Sequence, residues 1–391
     1  MKRVLTGLER LTKTHGKLVE GRRVGLVAHP ASVTAGLVHA LDVLVEAGAM
    51  VEILFGPEHG FAGEAQDMEP VGGASRHGPR GIPLHSLYGE EESTLSPPAD
   101  LLAGLDALVV DLFDVGARYY TFAWTAVLCL RACHGTGVEM LLLDRPNPLG
   151  DAVEGAPQWP DLLSFVGLVP VSNRHGLSLG ELVGLTARAE GTSDALSVIP
   201  ALGWDRGSPF PATGLPWVLP SPNMPSFDTA AVYPGMCLLE ATWCSEGRGT
   251  TRPFELFGAP GIDGASLARR LDAMDLPGAR FRPAVFKPTF QKHAGVACGG
   301  AQIHVTDLAA FRPYLSGVAV LLALRAEAGE RFSWREQPYE FVSDRPAIDL
   351  LAGSTAVREG IERGAPLSEI AASWESGQRE FERTKREFHL Y

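Results

Sequence analysis

The stretch VEILFGPEHGF, Val51–Phe61, runs from apolar residues directly into a carboxylate and an imidazole. The run Met50–Phe55 is short and apolar, and a Gly/Pro-rich segment follows it, which is typical of a buried strand. Glu58 and His59 therefore stand directly after this strand. We predict that the strand holds these two polar side chains rigidly at a site.

Three other short apolar runs accompany this one, and they alternate with segments of helical spacing. The predicted strands are Arg23–Ala28, Ala107–Phe113 and Val138–Asp144. One predicted helix has Leu37, Leu41, Leu44 and Val45 on one face, and another follows Thr121 as a candidate cap. This alternation predicts an α/β domain with a doubly wound parallel sheet covered on both faces.

Polar residues follow all four predicted strands. The segments after the strands begin at His29, Pro57, Asp114 and Asp144, and each has Gly or Pro beside its polar groups. One such segment would suit an ordinary turn. Because ligands bind beyond the carboxyl ends of parallel strands, four at one edge favour a functional site.

The second half of the chain has a mixed pattern. Ser178 and Glu181 form a predicted capping box, and a Pro/Gly-rich stretch follows their helix. We place a domain boundary near residue 190, giving domains 1–190 and 191–391. Beyond it we predict strands at Gly235–Trp243 and Cys298–Asp307, and a helix at Ser316–Gly329.

Composition excludes several classes of function. The 391 residues carry a formal net charge of −12 without a dense Lys/Arg run, so a nucleic-acid partner is not expected. No apolar stretch reaches the length of a membrane span, and no signal peptide is evident, so we expect a cytoplasmic protein without membrane insertion. The cysteines lack metal-like spacing, which favours free thiols in a reducing compartment; they are Cys129, Cys133, Cys237, Cys244 and Cys298.

Glu58 is the strongest catalytic candidate. Partial desolvation at a strand end raises a carboxyl pKa and suits a general acid, although Glu58 could instead pair structurally with an arginine. His59 could orient Glu58 or contact the substrate. Asp114 could supply a second carboxylate, whereas Asp111 could equally cap backbone groups.

Candidate substrate-binding residues come from polar loops in both halves. Arginines there could bind a carboxylate in bidentate fashion, although each side chain could also serve packing. The candidates are Arg118, Tyr119, Asp144, Asn147, Arg174, His175, Asn223, Glu246, Arg248 and Arg252. The sequence lacks GxGxxG, GxSxG, GxxxxGK[ST] and HExxH, so no cofactor and no metal are expected.

Six motifs occur in the order typical of the bacterial exo-β-N-acetylmuramidases, a glycoside hydrolase family long known only as a domain of unknown function. They are LFGPEHGFAGEAQD, DVGARYYTF, DRPNPLG, NRHGLSLGEL, PSPNMP and EGRGTTRPFE. The chain resembles this family over nearly its whole length. The resemblance implies a Rossmann-like N-terminal domain, a smaller C-terminal α/β domain and an active-site cleft between them.

The same resemblance implies removal of N-acetylmuramic acid from the non-reducing end of peptidoglycan fragments, in cell-wall turnover or recycling. The family's proposed catalytic glutamate falls on Glu58. The partners would be muramyl saccharides, whose lactyl carboxylate requires a cation. The candidate cations are Arg118, Arg174, Arg248 and Arg252.

Several alternatives stay open from the sequence. The second catalytic group could be a nucleophile such as Asp114, an inverting base or the acetamido group of the substrate. A non-catalytic protein that binds a cell-wall sugar, or a metal-dependent hydrolase using His59, Asp67 and Asp114, would share much of this pattern. The sequence does not indicate an oligomeric state.

Overall fold

The computed structural model describes residues 3–72 and 75–391. Within these ranges the ten strands are β1 Arg23–Ala28, β2 Met50–Gly56, β3 Ser75–His77, β4 Ile82–Ser86, β5 Ala107–Asp111, β6 Glu139–Leu143, β7 Leu196–Ile199, β8 Leu256–Ala259, β9 Ala279–Phe286 and β10 Cys298–Val305. The eleven α-helices are α1 Gly7–Thr14, α2 Ala40–Glu46, α3 Ala99–Leu102, α4 Phe122–Cys133, α5 Leu179–Glu190, α6 Phe227–Met236, α7 Gly264–Asp272, α8 Pro313–Ala328, α9 Ala347–Ala352, α10 Ala356–Glu362 and α11 Leu367–Thr384.

The first seven strands form one twisted sheet in the order β3-β4-β2-β1-β5-β6-β7. All neighbouring pairs are parallel except the β3–β4 hairpin at one edge. The chain builds outward from β1 in both directions, so the strand order reverses between β1 and β5. In an open parallel sheet this switch point is where ligands bind, beyond the carboxyl ends of the strands.

Alternate side chains of the central strands are buried in two separate hydrophobic clusters, one on each face of the sheet. Val109 of β5 joins the cluster that contains Leu8 of α1 and Leu44 of α2. Val110, one residue later, joins the cluster that contains Trp124 of α4 and residues of α5. Since successive strand side chains point to opposite faces, both faces need an apolar cover. The predicted doubly wound sheet is confirmed.

A smaller antiparallel sheet, in the order β8-β10-β9, lies in the second half and packs against α7. Helices α6 and α8 cross at Gly235 and Gly317, where a methyl group on either glycine would overlap the backbone of the other helix. The predicted second α/β unit is therefore present, and β10 and α8 match the predicted strand at Cys298 and the predicted helix at Ser316.

The prediction of a strand at Gly235–Trp243 is wrong. This run completes α6 and continues as a 3₁₀-helix over Cys237–Ala241. A short apolar run alone does not distinguish a buried strand from a buried helix, and the cap at Ser226 lies nine residues upstream of it. Strand β7 pairs with β6 although it follows residue 190, so a division after β7 suits the sheet better. The domain boundary itself stays a prediction.

A buried ion pair ties the carboxyl ends of two central strands together. Arg145, just after β6, donates through Nε to Oδ1 of Asp111 at 2.6 Å and through Nη2 to Oδ2 at 2.8 Å. The Asp111 side chain is fully buried, and only 9% of the Arg145 side chain is exposed. Asp111 thus stabilises the sheet through a charge partner.

We expect Asp111→Ala to lower the free energy of unfolding by about 3–5 kcal/mol, because it leaves the Arg145 charge buried and unpaired. Urea denaturation followed by circular dichroism measures this change. Glu387→Ala is the matched control: it breaks the exposed pair with Arg188 and should cost at most about 1 kcal/mol. Equal losses in the two variants would contradict the structural role of Asp111.

Candidate active site

A polar pocket opens beyond the carboxyl ends of β2 and β5, between the two halves of the chain. The first half contributes the turn after β2 and the segment that leads into α4. The second half contributes the loop before α6, parts of α6 and the loops around it, and a segment near residue 340. The lining residues are Glu58, His59, Asp67, Tyr119, Tyr120, Thr121, Ser221, Asn223, Met224, Tyr233, Glu240, Arg248, Phe254, Tyr339 and Glu340.

Glu58 lines this pocket and is 5% exposed. The Thr121 hydroxyl donates to its Oε2 at 2.5 Å, and the Met68 N–H donates to its Oε1 at 3.3 Å. Thr121 is the cap residue of α4, but its hydroxyl makes no capping bond to the helix. The predicted cap position is confirmed, and its side chain orients Glu58.

The turn after β2 is held in a strained conformation. His59 has a φ of 70°, which is rare for a residue with a side chain. Its Nδ1 lies 2.9 Å from the Ala65 carbonyl oxygen, and the Ala65 N–H donates to the His59 carbonyl oxygen at 3.2 Å. These contacts close the loop on itself and fix the direction of Glu58.

Two further carboxyl groups lie beside Glu58. One oxygen from each of Glu58, Asp67 and Glu340 can be chosen so that all three lie within 4.8 Å of one another. Glu340 comes from the second half of the chain, and its Oε2 accepts a hydrogen bond from the Tyr88 hydroxyl at 3.0 Å. Glu58 and Glu340 are 282 residues apart in the sequence, and the pocket brings their carboxyl groups together.

Arg248 is the one arginine among the described residues that line the pocket. Its guanidinium lies 3.0 Å from Asp67 Oδ1, 2.7 Å from Glu240 Oε1 and 3.1 Å from Glu246 Oε1. It also stacks over the Phe254 ring, with Cζ 4.8 Å from the centroid. A planar cation of this kind can bridge several carboxylates at once.

The density of acids in this region shifts their pKa values. Burial, followed by the nearby Glu58 and Asp67 charges, raises the pKa of Glu340 well above its ordinary value. Burial also raises the pKa of Asp67 and that of Glu240, against the opposing effect of Arg248. Burial would raise the pKa of Glu246 too, but Lys292 and Arg248 outweigh it and lower that pKa to about 2.

Five of the predicted site residues line the pocket, namely Glu58, His59, Tyr119, Asn223 and Arg248. Asn223 donates through Nδ2 to Gln66 Oε1 at 2.9 Å and so joins the two halves across the pocket. Tyr119 donates its hydroxyl hydrogen to the Pro234 carbonyl oxygen. Its ring can face a ligand while its hydroxyl is engaged by the protein.

Asp114 and His175 do not line this pocket, and their predicted roles in the site stay predictions. Asp114 Oδ2 accepts from the Gly116 N–H at 2.7 Å and lies 3.5 Å from His175 Nε2. The His175 side chain is fully buried. The two residues shape the loop after β5, and the carboxyl groups near Glu58 are instead Asp67 and Glu340.

Arg118 and Arg174 are also directed away from the pocket. Arg118 is fully buried and donates to the carbonyl oxygens of Leu350 and Leu351 at the end of α9; burial lowers its pKa to about 10. Arg174 pairs with Glu154 at 3.0 Å and lines a different cavity. Neither residue lines the pocket around Glu58, because each guanidinium is directed to carbonyl or carboxylate oxygens elsewhere.

Four other predicted substrate-binding residues have structural contacts. Asn147 donates to the Leu177 carbonyl oxygen at 2.9 Å. Arg252 is 49% exposed and pairs with Glu255 at 3.3 Å. Glu246 lies behind Arg248, where Lys292 Nζ also contacts it at 2.9 Å. Asp144 is fully buried. None of these four residues lines the pocket.

Sequence reasoning missed Glu340, Glu240 and their tyrosine partners. Tyr339 donates to Glu240 Oε2 at 2.6 Å, as Tyr88 does to Glu340. Glu340 lies in the segment QPYEF, which has neither a strand period nor a known motif. The only signal available was a carboxylate between two aromatic residues, and that pattern is common on ordinary surfaces.

The predicted metal set of His59, Asp67 and Asp114 is not assembled, because Asp114 lies outside the pocket. The oxygens of Glu58, Asp67 and Glu340 are of the type that hard divalent cations prefer. However, Arg248 already supplies positive charge to Asp67. We therefore identify these groups as an acid cluster with its own counter-ion.

Within the described residues, no helix combines the length and apolar character needed to cross a membrane.

Comparison with known proteins gives consistent matches along the chain. Residues 24–228 match a family model described as the N-terminal part of the exo-beta-N-acetylmuramidase NamZ, and residues 231–391 match the C-terminal part. The peptidoglycan beta-N-acetylmuramidase NamZ of Bacillus subtilis (strain 168) is 39% identical over 391 residues, covering 100% of this chain and 92% of that protein.

Two crystal structures of DUF1343 family proteins from Bacteroides fragilis NCTC 9343 share this architecture. One has a TM-score of 0.89 at 29% identity and covers 100% of both chains. The other has a TM-score of 0.76 at 28% identity and covers 99% of both chains.

The buried carboxyl group of Asp144, which does not line the pocket, makes the stability of the fold depend on pH. It accepts hydrogen bonds from Ser178 Oγ and Tyr391 Oη at 2.6 Å each and from the Gly180 N–H at 2.8 Å. Burial nevertheless raises its pKa to about 6. Asp144 therefore favours the folded state below about pH 4, and this contribution is lost as the pH rises to about 6.

We expect Asp144→Asn to remove this pH dependence. Relative to the native chain, the variant should gain up to about 3 kcal/mol in the free energy of unfolding between pH 4 and pH 7. Urea unfolding at several pH values measures the difference. Tyr391→Phe keeps the carboxyl group and should follow the pH trend of the native chain. A constant offset for Asp144→Asn across this range would contradict the buried, proton-binding role.

Proposed function

The chain belongs to the NamZ family of exo-β-N-acetylmuramidases and is a glycoside hydrolase, and from that premise we propose that it releases N-acetylmuramic acid from the non-reducing end of peptidoglycan fragments through the pocket around Glu58. Most glycoside hydrolases use two carboxyl groups that flank the scissile bond. The observation that supports this proposal most is the position of Glu58, oriented by Thr121 and within 4.8 Å of a second glutamate.

The pocket also has a means to select muramic acid over N-acetylglucosamine. The two sugars differ by the lactyl ether, whose carboxylate needs a cation. Among the four candidate arginines, Arg248 lines the pocket, and the other three are engaged elsewhere. We assign the lactyl carboxylate to Arg248, which would exchange one of its protein carboxylates for that of the substrate.

A test of the activity offers the purified protein two disaccharides, one with N-acetylmuramic acid at the non-reducing end and one with N-acetylglucosamine there. We expect rapid release of free N-acetylmuramic acid from the first and at most slow cleavage of the second, followed by mass spectrometry. Glu58→Gln should lower the rate by at least about 10²-fold, because it removes a catalytic carboxyl group. Glu64→Gln, an exposed glutamate six residues further on, is the matched control.

Saccharide that binds without being cleaved would contradict the hydrolase proposal and favour a non-catalytic binding protein. Activity that disappears with a chelator and returns with a divalent cation would instead favour a metal-dependent hydrolase.

The role of Arg248 is tested by the ratio of kcat/KM values for the two disaccharides. We expect Arg248→Lys to lower the preference for muramic acid by about tenfold or more, because a point charge replaces a bidentate donor. Arg252→Ala should leave the ratio unchanged. A variant that loses activity on both substrates equally would show that Arg248 serves the fold alone.

We also propose a cytoplasmic location and a role in recycling muramyl saccharides that reach that compartment. The five cysteines support it: all are free and buried, and burial raises the pKa of each thiol, which keeps it unreactive. Fractionation of cells that express the chain, with activity measured in each fraction, tests this location.

A further inference from the structure

We propose that Glu340 is the second catalytic carboxyl group and the proton donor to the leaving oxygen, with Glu58 as the carboxylate that faces the anomeric carbon. This assignment rests on the proposed function and deepens it, since it distributes the two roles that glycoside hydrolysis requires. The resemblance of the sequence to the muramidases singles out Glu58 alone, and the segment around Glu340 contains none of the motifs that carry that resemblance.

The backbone around Glu340 is shaped so that its carboxyl group reaches the pocket. Glu340 and Phe341 have φ values of 44° and 66°, both in the left-handed region. Tyr339 and Val342 close this two-residue turn with reciprocal N–H to carbonyl hydrogen bonds of 2.9 and 3.0 Å. Such a conformation costs of order 1–3 kcal/mol per residue and is concentrated at functional sites.

The two glutamates differ in their hydrogen bonds. Both oxygens of Glu58 accept, from the Thr121 hydroxyl and the Met68 N–H, which is the pattern of a carboxylate. Glu340 accepts from Tyr88 at Oε2, and no described residue donates a hydrogen bond to its Oε1, so that oxygen can carry the proton. Burial raises the pKa of Tyr88, so its hydroxyl stays a donor.

The surroundings of Glu340 also favour the protonated form. Its side chain is buried and faces the carboxyl groups of Glu58 and Asp67, and both factors raise its pKa well above the ordinary value. Arg248 contacts Asp67, Glu240 and Glu246 but not Glu340. The one guanidinium of the pocket is thus engaged by the other acids.

The reaction then proceeds in two balanced steps. Glu340 transfers its proton to the glycosidic oxygen as the bond from that oxygen to C1 breaks, and a Glu58 oxygen bonds to C1. Water then attacks C1, gives its proton to the Glu340 carboxylate and releases Glu58. One oxygen of Glu58 and one of Glu340 lie no more than 4.8 Å apart, which fits the ~5–5.5 Å separation of carboxyl groups in retaining glycosidases better than the ~6.5–9.5 Å of inverting ones.

The test compares Glu340→Gln with Glu58→Gln on two muramides that share the sugar but differ in the leaving group. One is the disaccharide, whose leaving oxygen needs a proton, and the other is the 2,4-dinitrophenyl β-glycoside, which does not. For Glu340→Gln we expect kcat/KM to fall by about 10²–10⁴-fold on the disaccharide and by less than about tenfold on the aryl glycoside, because kcat/KM reports the first step and that leaving group needs no proton. Glu58→Gln should lose both activities. Glu336→Gln, exposed and four residues away, is the control.

Retained activity on the aryl glycoside also shows that the variant pocket is folded, which a purely structural role would not predict. Full activity of Glu340→Gln on both substrates, or loss of both by a variant with a native circular dichroism spectrum, would overturn the proposal. If Glu340→Gln does not fold, Glu340→Asp, which withdraws the acid by one methylene, gives the same comparison. A native chain that cleaves neither substrate would overturn the proposed function itself.

Discussion

The structure of the pocket depends on one buried cation, the guanidinium of Arg248. It lies between Asp67, from the loop after β2, and Glu240 and Glu246, from the second half of the chain. Without it these carboxyl groups would repel one another in a region of low dielectric constant. Lys292 extends the network by contacting Glu246 and three backbone carbonyl oxygens. The two halves are therefore joined at the pocket by electrostatic contacts, in addition to the apolar core that they share.

This network explains how an acidic protein can act on an anionic sugar. Two cations, Arg248 and Lys292, stand among five carboxyl groups, namely Glu58, Asp67, Glu240, Glu246 and Glu340. Burial raises the pKa values of Glu340, Asp67 and Glu240, which favours their neutral forms and lowers the cost of placing so many acids together. In the roles proposed above, Glu340 would supply the proton for catalysis and Arg248 the cation for the lactyl carboxylate, so both would come from this one charge cluster.

The carboxyl ends of the other strands serve a different purpose. His29 accepts a hydrogen bond from the Phe113 N–H at 3.0 Å, and Asp111 pairs with Arg145. Asp144 binds Ser178, Gly180 and Tyr391, which fastens the end of the chain to the large sheet. These contacts hold together the segments that follow β1, β5 and β6. The polar residues that do not touch the pocket thus serve the fold on which the pocket is built.

The sequence by itself determined the doubly wound sheet, because apolar runs that alternate with helical spacing leave both sheet faces in need of cover. It also determined the family and made Glu58 the leading catalytic candidate, since the motifs after the strands are local in the chain. It did not separate Arg248 from Arg118 and Arg174, because an arginine that binds backbone carbonyls has the same local pattern as one that faces a ligand. Only the tertiary structure decided that difference. It also brought Glu340 to Glu58 across 282 residues, a proximity that depends on packing the two halves together and leaves no periodic signal in the sequence.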